Sequence, residues 1–473
     1  MKVRGMLEKD EDGKYILKMQ LSPHLEDIED VEVDSFLEDF EGQNIELALH
    51  SDAMATTMER GLVRIKPIQI GTHHYVDVYG SVCSADVKGT PEFEKPTLIS
   101  QDFAIGGQAA RLARYDYIHV DPPLTVYHQK DMRRVAREIT LDVDAILMGR
   151  AGCSPLEKYY LESLNLPILN GSEPEEKLLG LRAKKYVKES KFIYIGEIPS
   201  FSAPEGPWDF FKVQDRFGTR FRHIETNEFY RNFDRFSDDE VEQALKSWNE
   251  DFKIVEPPHQ EMLDATRVYL ALKYIAERED ANGITVNCGR FTEERPVVPC
   301  LAFARLIDEG IICSCEGDIT AMLSSFMLHG ISGQPILMGN FGSRPGHFEA
   351  SEGEVTIEHD VVPLSMGKEK FTVRDYHGRE FGVTGYVDIK EQPMTLLNLN
   401  SALDTISVIE GKIKHSRDGI HCRIIVHMDV EGNADKVRDI IVGSQHMSMT
   451  FGHWRKALEE MAGLMNLSVQ TLD

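Results

Sequence analysis

Short apolar runs alternate with helical periodicities most clearly between residues 283 and 340. GITVNC (283–288) predicts a short buried strand, and PCLAFARLIDEG (299–310) a helix with Gly310 on its C-cap side. IICSC (311–315) predicts another strand. Asp318 then has the short side chain that caps a helix N-terminus. Behind it Ile319, Met322, Leu323, Phe326 and Met327 recur at i, i+3, i+4, i+7 and i+8, the period of one buried helix face. Gly330 and Gly333 end that helix, and PILMG (335–339) predicts the next strand. Strands joined by such helical crossovers lie parallel and are often neighbours. Glu316 follows one strand and Asn340 the next, with Asn287 and Cys288 closing the strand before. All four are therefore expected at one sheet edge, the carboxyl edge at which open α/β sheets bind ligands. Neighbouring strands are about 4.8 Å apart, so Glu316 and Asn340 could share one small ligand or ion.

The same reading extends along the chain. KYILKMQL predicts a strand, and the acidic EDIEDVEVDSFLEDFE a surface helix with a solvated face. VRIKPIQI, YDYIHV, VDAILMG and LPILNG predict strands, with MRRVAREI a helix among them. GSEPEEKLLGLRAKKYVKES reads as a polar break. KFIYIGEIPSFS then opens a second sheet as strand, glycine turn and loop, and Met262–Arg278 predicts a long helix. Beyond about Asp360, FGVTGYVDI, MTLLNL, TISVIEGKI and CRIIVHMDV predict a mostly antiparallel region, followed by a helix from Trp454 to Met465. The expected fold class is α/β: two open α/β sheet domains (1–182 and 183–356) and a β-rich C-terminal domain (357–473) with a terminal helix.

Composition narrows the function. A net charge of -26 repels phosphate backbones and anionic headgroups, which argues against nucleic acid and membrane partners. No apolar run is long enough to span a bilayer, and the charged N-terminus is unlike a signal peptide, so a cytoplasmic location is expected. The seven cysteines (83, 153, 288, 300, 313, 315 and 422) are odd in number and form no disulfide framework. Cys313 and Cys315 are read as core residues, since a zinc knuckle needs a second ligand pair.

PCLAFARLIDEGIICSCEGDITAMLSSFMLHGISGQPILMGN, continued through EHDVVPLSM and the β-rich tail, resembles the L-fucose isomerase and L-arabinose isomerase superfamily. These are aldose–ketose isomerases that use Mn²⁺ or a similar divalent ion. The resemblance covers perhaps 60% of the chain and leaves residues 1–180 unmatched. It implies that Glu316 is metal ligand and acid/base group, that Asn340 stands at the family's second carboxylate, and that His446 is the ligand histidine. His359 matches a histidine that some relatives carry beside the metal. Glu316 and Asn340 are thus the expected catalytic positions, and Glu316, Asn340, His446 and His359 the expected metal positions. Asn287, Asp318, His453 and Trp454 are taken as candidate substrate contacts. The partner implied is a small sugar, and the assembly a homo-oligomer, trimer or hexamer.

Three positions depart from the family pattern. Asn340 is an amide, Gln445 replaces the first histidine of a pair, and His453 stands where an acid is common. An amide oxygen can ligate weakly but cannot exchange a proton near neutral pH. Asp318, Glu349, Glu352 and Asp360 are nearby carboxylates that could compensate. A sugar-binding relative without catalysis, and an epimerase or lyase working through another metal-assisted enolisation, are the alternatives. Elsewhere, adjacent His73 and His74 face opposite ways on a strand and are read as structural. The glycine pair of AIGGQAARLARYD lacks a full phosphate-binding fingerprint, and Trp208 and Trp454 are read as core before sugar-stacking groups.

Overall fold

The computed structural model describes residues 6–9, 15–20, 28–32, 60–70, 108–121, 124–126, 143–148, 164–169, 172–200, 203, 206–289, 295–342, 350 and 354–472. Met1–Ala55 forms one compact unit and Thr56–Asp473 a second. The first contains an antiparallel sheet of β1 (Met6–Lys9), β2 (Tyr15–Gln20) and β3 (Ile28–Glu32). β3 lies inside the acidic stretch expected to be helical. Its β-branched Ile28 and Val31 favour extended backbone, and pairing with β2 supplies the hydrogen bonds. His73, His74, the glycine pair, Cys83, Cys153, MRRVAREI, Glu349 and Glu352 lie outside the described residues.

The second unit begins with a parallel sheet of β4 (Val63–Ile70), β5 (Ile118–Val120), β6 (Leu124–Val126), β7 (Ala145–Met148) and β8 (Ile168–Leu169). The segment read as a polar break is instead helix α1 (Glu175–Glu189). Its lysines disguise a buried set of Leu178, Leu179, Leu181, Ala183, Tyr186 and Val187. Leu178 and Leu181 pack into the core under β4 and β7, while Ala183, Tyr186 and Val187 join a second core that includes the terminal helix. A helix apolar on two sides has a weak one-face periodicity, which is why the pattern missed it.

The central sheet uses β9 (Lys191–Ile195), β10 (Arg220–Ile224), β12 (Gly283–Val286) and β13 (Ile312–Ser314) in the order β10-β9-β12-β13, all parallel. Helices α2 (Phe210–Phe217), α3 (Thr226–Phe233), α4 (Asp238–Ser247), α5 (His259–Arg278) and α6 (Cys300–Asp308) connect it. β11 (Phe252–Val255) leaves this sheet to pair with β16 (Phe371–Arg374), which in turn pairs with β17 (Thr384–Tyr386). After β13 comes α7 (Ile319–Ser332), capped by Asp318, whose carboxylate accepts from the Ala321 N–H. At its far end Gly333 adopts φ 66°. The expectation of one buried face was too narrow. Ile319 to Leu328 are all buried, and the polar members are satisfied: Ser324 Oγ donates to Thr320 O, and Ser325 Oγ meets Ser448 Oγ at 2.9 Å.

The strand after α7 does not return to the central sheet. β14 (Leu337–Gly342) is antiparallel to β15 (Val355–His359) and β21 (His446–Phe451). With β18 (Gln392–Leu399), β19 (Thr405–Arg417) and β20 (Ile424–Val430) the order runs β18-β21-β14-β15-β20-β19, and β19 pairs back to β18. The six strands therefore close into an antiparallel barrel, which removes the exposed edges. α8 (Arg455–Met465) packs against α1, and β22 (Ser468–Thr471) adds to β19 in parallel. The α/β class holds, with parallel sheets, a barrel-like antiparallel C-terminal sheet and a terminal helix.

Gly330 sets how closely α7 approaches α1. A β-carbon there would lie 2.9 Å from Ala183 Cα and 3.2 Å from Tyr186 Cβ. Gly330→Leu is expected to cost about 1–3 kcal/mol as the helices are forced apart. A chemical denaturation midpoint unchanged from wild type would refute that.

Candidate metal centre

The parallel sheet and the barrel meet at one edge. Asn287 follows β12 and Glu316 follows β13 at the carboxyl edge of the central sheet, as expected. Asn340 does not belong to that edge. It lies within β14, opposite His446 of β21 on one side and Glu358 of β15 on the other. The barrel end thus presents His446, Asn340, Glu358 and His359 from three adjacent strands.

Glu316 is held out by an unusual backbone. Its φ is 63°, and Gly317 follows at 68°. A β-carbon on Gly317 would come 2.6 Å from Tyr194 Oη, so only glycine fits beneath the turn. Ser200 Oγ donates to Glu316 O, and the Glu316 N–H points at Cys288 Sγ at 3.4 Å. These contacts fix the main chain and leave the carboxylate facing two imidazoles. Its Oε2 is 3.6 Å from His446 Nε2 and its Oε1 is 3.8 Å from His359 Nε2. Burial raises the Glu316 pKa; His446 opposes this, and the charges of Asp318 and Asp360 add to it. A carboxylate in that position is stabilised by any cation placed beside it.

His446 is oriented from behind. Its Nδ1 lies 2.8 Å from Asp318 Oδ2. Asp318 is fully engaged: it accepts from Ser444 Oγ at 2.6 Å, from the Ala321 N–H at 2.9 Å and from Thr320 Oγ1 at 2.7 Å. Burial alone would raise the Asp318 pKa, but the bonds from His446, Ser444 and Ala321 outweigh it and bring it down to about 2. The ionised Asp318 accepts the Nδ1 proton, which holds the ring with Nε2 turned toward Glu316. His359 is buried, and that burial, with His446 and His377 nearby, lowers its pKa to about 3. It is therefore a neutral imidazole with a lone pair to give, and its Nδ1 has no hydrogen-bond partner.

Glu316, His359 and His446 each offer one donor atom, all within 4.8 Å of one another. Two imidazoles and one carboxylate form a donor set that fits a divalent ion such as Mn²⁺ or Co²⁺. A carboxylate behind one histidine is the usual support for such a ligand.

The other predicted residues divide. Asn340 Oδ1 accepts from Gln445 Nε2 at 2.8 Å, so the two substituted positions bond to each other. Asn287 donates to Glu197 O at 3.0 Å, and its buried Oδ1 is left without a hydrogen-bond partner at the crevice edge. Asp318 lies behind His446, as helix cap and as its support. His453 and Trp454 lie beyond the far end of β21, with His453 near Glu431 and Trp454 Nε1 donating to Phe451 O. The structure does not bring either to the centre, because a six-residue strand separates them from His446. Ser444 and Ser200 went unrecognised in the sequence; only the position of Ser444 two residues before His446 pointed to it.

Residues 206–330 match the family model of the L-arabinose isomerase central domain. That match supports a sugar isomerase family. It spans α2 to most of α7 and includes Glu316 and Asp318, but neither His359 nor His446. Comparison with curated proteins gave no match. Among solved structures, a probable maltose operon transcriptional repressor, malR, from Staphylococcus areus is 12% identical, over 56% of this chain and 89% of its own, with TM-score 0.15. An ABC transporter solute binding protein from Burkholderia multivorans is 10% identical, over 58% of this chain and 94% of its own, with TM-score 0.13. At those scores neither likeness bears on fold or function. No helix among the described residues is long and apolar enough to cross a membrane.

Proposed function

We propose that this protein is a metal-dependent aldose–ketose isomerase of the fucose and arabinose isomerase type, acting on a small open-chain sugar. The observation that carries the reading is the convergence of Glu316, His359 and His446 at the end of the barrel, beside the region that matches an arabinose isomerase domain. Glu316, His359 and His446 would hold the ion, a divalent metal such as Mn²⁺ that accepts mixed nitrogen and oxygen donors. When bound, the ion supplies charge stabilisation for the oxyanion that develops as the enediol forms.

The chain's own residues do the rest. Glu316, 29% exposed and with a raised pKa, takes a proton from one sugar carbon and returns it to the next. Asp318 holds His446 with Nδ1 toward its carboxylate and Nε2 toward the ion. Asn287 offers its buried Oδ1 to a sugar hydroxyl at the sheet edge. Asn340 cannot move a proton, and Glu358, its cross-strand partner on β15, would supply the second carboxyl group. Burial and the charge of Asp360 raise the Glu358 pKa. The reading extends to a cytoplasmic homo-oligomer with no nucleic acid or membrane partner.

Asn340 favours a second reading, a sugar-binding relative that has lost turnover. Incubating pentoses, hexoses and their deoxy derivatives with protein and Mn²⁺ in deuterated water separates the two. Deuterium entering C1 or C2 supports the isomerase, and binding without exchange supports the second reading. Asn340→Asp, which restores a carboxylate opposite His446, is expected to raise exchange by about tenfold or more if the position contacts the reacting sugar. An unchanged rate would remove Asn340 from the chemistry.

A further inference from the structure

A second ligand cluster lies next to the first. Asp360, His377 and Cys422 each offer one donor atom, and these too lie within 4.8 Å of one another. Asp360 follows the ligand His359 directly, at the end of β15. His377 comes from the hairpin between β16 and β17, and Cys422 from the loop between β19 and β20. The three residues are far apart in sequence, and no spacing motif links them.

We propose that Asp360, His377 and Cys422 form a second metal site, for a zinc-like ion of borderline softness. The donor chemistry is the reason. One thiolate, one imidazole and one carboxylate select Zn²⁺ or Co²⁺ over Mn²⁺ and Mg²⁺, which prefer oxygen. The first centre has no sulfur, so the two sites differ in what they select.

Each donor is oriented by its surroundings. Asp360 is 5% exposed, and its Oδ1 accepts from the Arg423 N–H at 3.1 Å, which leaves Oδ2 for the site. That Oδ2 is 2.5 Å from His377 Nε2, where a proton holds the place of a cation. The His377 ring stacks on Tyr376 with centroids 3.9 Å apart. The Arg423 guanidinium, which would repel an ion, is turned away onto Asp375 and Gly419 O. Burial raises the Cys422 thiol pKa, and Asp360, Glu358 and Glu316 raise it further. That acidic surrounding disfavours a bare thiolate, and a divalent cation reverses the balance.

His377 also sits in a turn where its residue type is costly. His377 (φ 54°) and Gly378 (φ 67°) are both left-handed. Asn and Asp are the usual non-glycine residues at such a position. With three protein ligands the ion keeps a position for water, or for a group from the neighbouring centre. Bound there, it ties the β15 end, the β16–β17 hairpin and the β19–β20 loop into one unit.

The test is Co²⁺ titration of the metal-free full chain, read by near-ultraviolet thiolate-to-cobalt charge-transfer absorption. The wild type is expected to develop this band to one equivalent per chain and to lose it when Zn²⁺ is added. Cys422→Ser should abolish the band, and Glu316→Gln, which disables the first centre, should keep it. X-ray absorption of the zinc-loaded wild type should then show one sulfur among the ligands, a reading that needs no variant to fold. A wild type without the band, a band that survives in Cys422→Ser or disappears in Glu316→Gln, or a zinc shell without sulfur would each overturn the proposal.

Discussion

Glu316→Gln is expected to lower isomerase turnover by about 10²–10⁴-fold, the usual contribution of a positioned acid/base group. The change is isosteric and leaves the backbone at φ 63° undisturbed. It removes the only carboxylate of the three-ligand cluster, so Mn²⁺ affinity falls with the rate. The two effects are separable by measuring kcat at saturating Mn²⁺ alongside calorimetric Mn²⁺ titration. Burial already penalises the charged carboxylate, so the metal-free variant should be at least as stable as wild type. A variant that folds, binds Mn²⁺ normally and still turns over at the wild-type rate would remove Glu316 from the chemistry.

Asp318→Asn is the next largest effect expected, and it acts from one layer behind. The amide cannot accept the Nδ1 proton of His446 while keeping the bonds from Ser444, Thr320 and the Ala321 N–H. His446 is then driven to the tautomer that protonates Nε2, the nitrogen facing Glu316. Loss of such a supporting carboxylate typically costs 10–100-fold in metal affinity or activity. Breaking a buried, hydrogen-bonded charge pair also costs about 3–5 kcal/mol of stability. Linkage gives an independent check on metal-free protein. The folded-state pKa of about 2 lies below the ordinary 3.8, so the folded state holds fewer protons in between. The stability Asp318 contributes is complete above about pH 4 and is lost as pH falls toward 2. Denaturation midpoints from pH 5 to pH 2 should therefore converge for wild type and Asp318→Asn. Parallel curves across that range would refute the role.

Much of this was legible in the chain because buried elements write periodic patterns. β12, α6, β13 and α7 stood out, since each buries a continuous apolar set. Glu316 and Asn287 were placed at the sheet edge by strand order alone. Asn340 was misplaced because apolar periodicity reports that a strand is buried and not which sheet takes it. PILMG satisfies a parallel crossover as well as it does an antiparallel barrel. Helix α1 was missed because its two buried sides left the lysines scattered between them. His453 and Trp454 were drawn to the centre by their nearness to His446 in sequence, but an extended strand converts that nearness into distance. Asp360 was noted only as a carboxylate near the first centre, and its grouping with His377 and Cys422 was not legible, because a strand end and two loops bring the three together only after the barrel closes.

The left-handed backbone at Glu316 has a consequence for selection. A non-glycine residue there costs about 1–2 kcal/mol relative to glycine. Glu316→Gly should therefore give a more stable protein with no activity, read as a higher thermal midpoint and no turnover. A neutral walk that tests only folding would lose the glutamate early. A glutamate at this left-handed position therefore trades stability of the turn for the carboxylate it presents to His359 and His446.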